Sequence, residues 1–489
     1  MKTKNIKANG GLFMIAMLLI ILISPSCKKA LDNELDNATY DDKFWKTEAD
    51  AQGAISGAYA LLRTSLYKDN AFFIWGDLPV GEIQTFDTNM QGPYLSGNLA
   101  AVYYREEGAH NWTNWYKVIN VCNLVIDKVP SIPDASFANG TKGKNYVIGE
   151  AYFLRALCYF YLARVWGDVP LQNVPIYTAE EIKYLPQSPE DVITKQVQSD
   201  AGKASALLTF EGTAQYRRAR ANKGAALALL AHVSAWRHEY DKTVLYTDSI
   251  ISRVDTYKLE TADNIRLAFK NSFSTENIFV ITASNSNNEA NFSIPNYSEA
   301  IGFKTLTSPY LTTVTGIPLY FVNYDYLYTI YPNDNDARLA NFYGYSSSAD
   351  VDLLIKYSDV GFKTPNQPFI ESNLIIYRLA DMYLLKAEAL NFLTRDPEAR
   401  TALNVVRERA NTDVTALSGN LLKIEIMNER IRELAGEGQN FFDGVRMNRS
   451  PVWMTDARKA LKGWRWPIAN SILQNNNLIN QTEFWKGKY

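Results

Sequence analysis

The residues of this chain best suited to chemistry are aromatic side chains that share two irregular segments with carboxylates and carboxamides. The segment 66–110 holds Trp75, Tyr94, Tyr103 and Tyr104 together with Asp77, Asn89 and Gln91. The segment 285–345 holds Tyr297, Tyr310, Tyr320, Tyr324 and Tyr343 together with Asn291 and Asn323. A flat aromatic ring can stack on the apolar face of a sugar, while carboxylates and carboxamides form hydrogen bonds with its hydroxyl groups. We therefore predict that some of these residues bind a glycan and that the others pack their loops against a scaffold.

The composition argues against several other activities. The chain has 489 residues, including 30 tyrosines, and a formal net charge of −2. Binding to nucleic acid needs a basic face, so this charge argues against a nucleic-acid partner. Three histidines and three cysteines offer little material for a metal centre. The run Asn333-Asp334-Asn335-Asp336 lacks the ligand spacing of a calcium-binding loop, so we predict no cofactor.

The first 26 residues have the pattern of an export signal. Three lysines precede an apolar run over residues 12–23, and Cys27 follows that run closely. A run of twelve residues is too short to span a hydrocarbon core of about 30 Å. We predict that residues 1–26 are a lipoprotein signal peptide and that Cys27 is lipidated to anchor the mature chain.

The hydrophobic pattern beyond the signal predicts a mainly α fold. Apolar residues spaced three and four apart predict helices over residues 112–129, 147–165, 191–208, 222–238, 374–392, 398–410 and 421–435. Helix pairs within 225–251 and 379–409 are close to the length of about 34 residues that is typical of a tetratricopeptide (TPR) repeat. Residues 66–110 and 271–369 lack this pattern. We therefore predict a TPR-like helix-pair scaffold with a loop-rich ligand-binding region and few short strands.

Charged residues near the C-terminus predict ion pairs within helices. The candidate pairs, each with partners three residues apart, are Glu429 with Arg432, Arg430 with Glu433 and Arg378 with Asp381. Opposite charges at this spacing attract each other on one helix face. We interpret these acids as structural and not as a catalytic pair.

Two cysteines, Cys122 and Cys158, fall within predicted helices. An oxidising envelope would allow a disulfide bond between them. Each position also suits a small apolar side chain at a helix interface. The sequence therefore does not decide whether the two cysteines form a disulfide bond.

Short motifs recur in a fixed order along the chain. They are Cys27 and the segments 44–51, 112–123, 149–157, 166–171, 378–389, 403–410, 429–438 and 442–446. Together these motifs resemble the SusD/RagB family of outer-membrane nutrient-binding lipoproteins. The resemblance covers most of the chain from residue 27 onward, and its specificity comes from the whole set.

The resemblance implies a single SusD-like domain over residues 27–489, with an N-terminal part at about 40–210 and a C-terminal part at about 270–489. It implies four TPR-like helix pairs and no catalysis. It also implies a surface-exposed outer-membrane lipoprotein that captures a glycan and passes it to a SusC-like TonB-dependent transporter. Two alternatives remain: a TPR-type lipoprotein that binds peptides or proteins, and a glycan-degrading enzyme, which no paired acids or nucleophile motif supports.

Overall fold

The computed structural model describes residues 44–489, apart from 68–70, 86–87, 102–107, 212–217, 271–273, 284, 287–299 and 450. Residues Thr47–Tyr489 form one compact unit. Helices dominate this unit and the strands are few and short, which confirms the predicted fold class. Within these ranges, none of the helices is both long enough and apolar enough to cross a membrane.

The helices are numbered here in chain order. They are α1 (Glu48–Tyr67), α2 (Ala71–Gly76), α3 (Thr88–Ser96), α4 (Thr113–Lys128), α5 (Gly140–Val165), α6 (Glu190–Leu207), α7 (Lys223–Trp236), α8 (Tyr240–Ile251), α9 (Ile301–Thr305), α10 (Tyr324–Ile330), α11 (Ala337–Phe342), α12 (Leu379–Phe392), α13 (Asp396–Arg409), α14 (Gly419–Leu434), α15 (Asn440–Arg446), α16 (Asp456–Ala460) and α17 (Asn470–Asn475).

The long helices form a continuous scaffold. Helix α1 packs against α4, and contacts continue in order through α5, α6, α7 and α8 to α12, which packs against α13 and α14. Both helix hairpins predicted from the sequence are present, as α7 with α8 and as α12 with α13. Helix α5 is apolar on almost every side and is buried along most of its length, because helices pack around it.

The strands lie mostly in the second half of the chain. They are β1 (Ile83–Thr85), β2 (Val169–Pro170), β3 (Gln187–Ser188), β4 (Asn277–Ile281), β5 (Tyr320–Val322), β6 (Tyr343–Ser346), β7 (Val351–Leu354), β8 (Val360–Thr364), β9 (Gln367–Ile370) and β10 (Leu374–Arg378). The largest sheet has the order β1-β5-β7-β6, and its pairings are antiparallel. This sheet brings the segment around residue 83 next to the segment 320–354.

The segment 66–110 is more ordered than the sequence predicts. It contains α2 and α3, and every residue of α2 is buried. Its run Phe72-Phe73-Ile74-Trp75 gives no amphipathic period, because all sides of this short helix face the protein interior. The prediction of an irregular loop is therefore wrong for residues 71–76 and 88–96.

One of the three predicted ion pairs is present, and a second is not. Arg432 pairs with Glu429 at 2.7 Å, as its spacing predicts. Arg378 does not pair with Asp381. Its guanidinium instead lies 2.7 Å from Glu276 on a neighbouring segment, so tertiary packing outweighs the spacing on the helix.

The third predicted pair is also wrong. Arg430 donates to Asp443 at 2.7 Å. Glu433 accepts from Arg378 at 2.5 Å and also from Arg409. Burial disfavours the charge on Glu433, but the nearby arginines outweigh this cost and hold the pKa of Glu433 well below its usual range. Glu433 is therefore part of a buried ion-pair network whose arginines lie on other elements.

Cys122 and Cys158 are buried free thiols in α4 and α5. Burial raises the pKa of both thiols, to about 12 for Cys122. They act in this structure as small apolar residues of the helix interface.

Candidate functional site

Tyrosine side chains border an open groove of about 310 Å³ on the protein surface. We call it the tyrosine groove; its lining residues are Tyr324, Leu327, Tyr328, Tyr331, Asp334, Leu339, Tyr343, Gly344, Tyr345 and Asp352. Tyr324, Tyr328 and Tyr345 are 65%, 76% and 54% exposed. Large aromatic side chains grouped at the surface are typical of an interaction site.

Helix α10 supplies one wall of the tyrosine groove. Asn323 caps this helix, and its side-chain oxygen accepts from the backbone N–H of Tyr326 at 3.4 Å. Tyr324 and Tyr328 are four residues apart, so both rings lie on one face of the helix. The helix therefore presents two rings side by side toward the groove.

The β6–β7 hairpin supplies a second part of the lining. Tyr343 pairs with Leu354 and Tyr345 pairs with Asp352 across the hairpin. Residues two apart on a strand share a face, so Tyr343, Tyr345 and their partners line the same side of the sheet. Regular backbone pairing therefore fixes the position of this part of the lining.

Tyr331 connects the lining of the groove to the scaffold. Its ring centroid lies 5.7 Å from that of Tyr343 in a nearly perpendicular arrangement. Its hydroxyl donates to the backbone oxygen of Arg432 at 2.7 Å, on helix α14. Burial raises the pKa of both Tyr331 and Tyr343 above the usual range, so both phenols stay neutral. The floor of the groove is therefore anchored to α14.

Carboxylates stand among the aromatic rings. Asp334 and Asp352 both line the tyrosine groove. Burial raises the pKa of the Asp352 carboxyl. The Tyr345 hydroxyl donates to Asp350 at 2.5 Å, which holds that ring at the rim. Within the described part of the chain, neither lysine nor arginine lines this groove.

A second cavity, of about 490 Å³, adjoins the tyrosine groove. We call it the polar pocket; it is lined by Pro332, Asn333, Asp334, Asn335, Asp336, Arg407, Thr412, Asp413 and Arg432. Asp334 lines both cavities. Asp334 is therefore a common boundary of the two cavities.

The run Asn333-Asp334-Asn335-Asp336 borders the polar pocket as a turn and a helix cap. Asp336 caps α11, and its two carboxylate oxygens accept from the Arg338 guanidinium at 2.9 and 2.6 Å. In the described ranges, no group of three or more His, Cys, Asp or Glu side chains is arranged to hold a metal ion.

Comparison with protein-family models identifies the fold and the general class. A model described as the SusD family matches residues 315–485, which include the whole tyrosine groove. A second model, described as starch-binding and associating with the outer membrane, matches residues 89–234. This chain belongs to the SusD/RagB family.

Sequence relatives match along almost the full chain. A SusD-like protein of Formosa agariphila is 28% identical, with 89% of this chain and 92% of the relative covered. A SusD-like protein of Bacteroides ovatus is 24% identical, with 89% of this chain and 83% of the relative covered. The family assignment therefore rests on the whole length and not on one motif.

Solved structures of SusD proteins share the fold. A SusD homologue from Bacteroides thetaiotaomicron matches with a TM-score of 0.76 and 24% identity, over 90% of this chain and 99% of that one. A laminarin-binding SusD-like protein matches with a TM-score of 0.71 and 21% identity, over 89% of this chain and 99% of that one. At these identities the likeness extends to the fold alone.

Several residues predicted from the sequence as ligand platforms lie in the core of this SusD-family protein. Trp75 is fully buried; its ring centroid lies 5.3 Å from that of Trp166, and its indole N–H donates to the Ala109 carbonyl oxygen at 3.0 Å. Tyr94 and Tyr320 are 2% and 0% exposed. A ring without an exposed face cannot stack on a sugar, so the prediction is wrong for these three residues in this structure.

Asp77 is also buried, and it joins distant segments of the chain. Its carboxylate oxygens accept from the backbone N–H groups of Gly436 at 3.2 Å and Gly438 at 2.7 Å. Gly76 and Gly438 lie so close together that a Cβ atom on Gly76 would stand 2.1 Å from the Gly438 backbone. Asp77 therefore holds two segments together and is not available to a ligand.

Glu82 lies beside Asp77 and is also buried. The two side chains are hydrogen-bonded to each other, and the Asn440 side chain donates to Glu82 at 2.6 Å. Burial raises the pKa of Glu82 to about 7 and raises that of Asp77 well above its usual range. An ionised carboxylate can only accept a hydrogen bond, so this pair retains a proton.

The other residues predicted to bind a ligand lie in different environments. Tyr324, as predicted, has an exposed ring, and it lines the tyrosine groove. Cys27, Tyr103, Tyr104, Tyr297, Asn291 and the side chains of Asn89 and Gln91 lie outside the described residues. Of the remaining residues, Tyr310 is half-buried beside Gly344, Asn323 caps α10, and Tyr343 lines the groove.

Sequence reasoning missed Tyr328, Tyr345 and Asp352. Tyr328 could have been found from its spacing of four residues to Tyr324 on a capped helix. Tyr345 could have been found from its alternation with Tyr343 in a short strand. No local sequence pattern indicates Asp352, because it lies at the groove only through its strand pairing with Tyr345.

Proposed function

We propose that this protein is a surface-exposed outer-membrane lipoprotein that binds a glycan in the tyrosine groove and delivers it to a SusC-like TonB-dependent transporter. The observation that carries the proposal is the cluster of exposed rings of Tyr324, Tyr328 and Tyr345 beside carboxylates. Ring faces stack on sugar faces, and carboxylates accept from sugar hydroxyls.

The dimensions of the site support an oligosaccharide ligand. The tyrosine groove and the polar pocket, of about 310 and 490 Å³, each fall in the range of about 300–1,000 Å³ that is usual for ligand sites. Both are bordered by Asp334, and we expect a chain of sugar units to extend from the aromatic part past this residue into the polar part.

The family supports the remaining parts of the proposal. The model that matches residues 89–234 is described as starch-binding and associating with the outer membrane. One structural neighbour is described as laminarin-binding. The transporter and the lipid anchor are proposed from the resemblance and from the position of Cys27 after the apolar run.

Isothermal titration of the mature chain against a panel of soluble polysaccharides tests glycan binding. We expect at least one glycan to bind and Tyr328→Ala to weaken it about tenfold, because a stacked ring contributes on the order of 1–2 kcal/mol. Tyr184→Ala is the matched control, since Tyr184 is 62% exposed but does not line the groove.

The proposal is wrong if no member of the panel binds at millimolar concentration. Binding of peptides under the same conditions would then favour the alternative of a peptide-binding lipoprotein. Transporter delivery has a separate test, in which the chain is purified from outer membranes and its partners are identified by mass spectrometry; a TonB-dependent transporter is the expected partner.

A further inference from the structure

Acidic side chains outnumber basic ones in the polypeptide around the tyrosine groove. Residues 323–352 contain five aspartates, namely Asp325, Asp334, Asp336, Asp350 and Asp352, and one basic residue, Arg338. Arg338 is fully buried and is paired with Asp336 at 2.6 Å and with Glu429 at 2.5 Å. Its charge is therefore neutralised inside the protein and does not face the groove.

The arginines of the adjoining polar pocket are neutralised as well. Arg407 pairs with Glu425 and with Glu429, the latter at 3.0 Å. Arg432 pairs with the same two acids at 2.5 and 2.7 Å. Burial disfavours the charge of Glu429, but the arginines hold the pKa of Glu429 at about 2, so it stays ionised at neutral pH.

Asp334 and Asp352 keep carboxylates at the lining of the tyrosine groove. Neither has an ion pair with a described lysine or arginine. A carboxylate accepts hydrogen bonds but donates none, so it complements sugar hydroxyl groups and repels a uronate or a sulfate. Asp334 borders both cavities, so a ligand that occupies both lies beside it.

We propose that the tyrosine groove selects neutral glycans over acidic ones, because Asp334 and Asp352 accept from sugar hydroxyls and repel acidic groups on the ligand. This inference rests on the proposed glycan-binding function and adds the charge class of the substrate. A neutral glucan or mannan fits this chemistry, whereas an alginate or a sulfated galactan does not.

The test uses a matched pair of ligands. The neutral glycan that binds best in the titration panel is compared with its lightly carboxymethylated derivative at low ionic strength. We expect the derivative to bind at least about tenfold more weakly, and the difference to shrink as salt is added, because salt screens the repulsion.

Two variants test whether the aspartates of the groove cause the weaker binding of the carboxymethylated ligand. Asp334→Asn and Asp352→Asn should each reduce the difference in affinity between the neutral and the carboxymethylated ligand. Asp456→Asn is the control and should leave the difference unchanged, because the Asp456 side chain is fully exposed and does not line the groove. Thermal melting of each variant checks that the fold is retained.

The inference is overturned if the carboxymethylated ligand binds as tightly as its parent, or if neither groove variant narrows the difference. Failure of the proposed function itself looks different, since neither member of the pair would then bind.

Discussion

Exposure of a ring decides whether an aromatic residue can bind a sugar, and the sequence does not specify exposure. Trp75 and Tyr324 both lie in segments rich in aromatic and polar residues, yet one is fully buried and the other is 65% exposed. Trp75 is buried because α2 is enclosed by the rest of the fold. Residue type alone therefore predicts the chemistry of the site but not its members.

The pair of Glu82 and Asp77 predicts an unusual pH dependence of stability. The folded pKa of Glu82 is about 7, and its ordinary value is 4.5. Between these values the unfolded chain loses the proton while the folded protein keeps it. The free energy of unfolding should therefore decrease as pH rises through this window, by up to about 1.4 kcal/mol per pH unit.

Chemical denaturation between pH 4 and 8 measures this dependence. Glu82→Gln cannot ionise and keeps a side-chain oxygen that can accept from Asn440, so its stability should decrease less over the window from 4.5 to about 7. Equal slopes for the variant and the wild type would show that Glu82 titrates normally in the folded protein.

At the scale of elements, the local hydrophobic pattern predicts where helices form. It does not predict which other elements their side chains contact. The predicted hairpins within 225–251 and 379–409 are present, because apolar period and length suffice to specify helices. The partners of Arg378 are Glu276, Glu433 and Glu437, all far from it in sequence. Helix spacing cannot predict such contacts, because they depend on how separate elements pack.

Glu433 should be essential to the junction of these elements. Glu433→Ala would remove the one buried acid that pairs with Arg338, Arg378 and Arg409 together. Loss of one partner of a buried ion pair typically costs about 3–5 kcal/mol, so we expect a clear decrease in the free energy of unfolding. Glycan affinity measured well below the melting temperature should hardly change, since Glu433 does not line the groove.

An exposed ion pair provides the comparison. Glu398 pairs with Arg395 at 2.5 Å on the surface of α13, and Glu398→Ala should leave the melting temperature almost unchanged. An unchanged melting temperature of Glu433→Ala together with lost glycan binding would contradict the structural role of Glu433.

At the scale of the whole molecule, the ordered set of motifs predicts the family correctly, because it reflects the scaffold. The matched segments 315–485 and 89–234 contain most of the long helices. The tyrosine groove lies in the loop-rich part of the first of these segments. Its geometry depends on a capped helix and a hairpin that meet only after folding, so the motifs could not specify it.

Attachment to the membrane should depend on Cys27. Cys27→Ala removes the proposed acylation site, so the variant should fold normally and leave the membrane fraction, because stable anchoring needs acyl chains. Fractionation of cells that lack the partner transporter, with the wild type as control, measures this directly. A variant that stays in the outer membrane would contradict the lipid anchor.

The most direct test of glycan binding through the tyrosine groove is to separate the ring of Tyr324 from its hydroxyl. Isothermal titration compares Tyr324→Phe and Tyr324→Ala with the wild type, using the glycan that binds best in the panel. We expect Tyr324→Phe to bind within about threefold of the wild type and Tyr324→Ala to bind about tenfold more weakly, because stacking uses the ring face. Wild-type affinity in both Tyr324→Ala and Tyr328→Ala would contradict the assignment of the site.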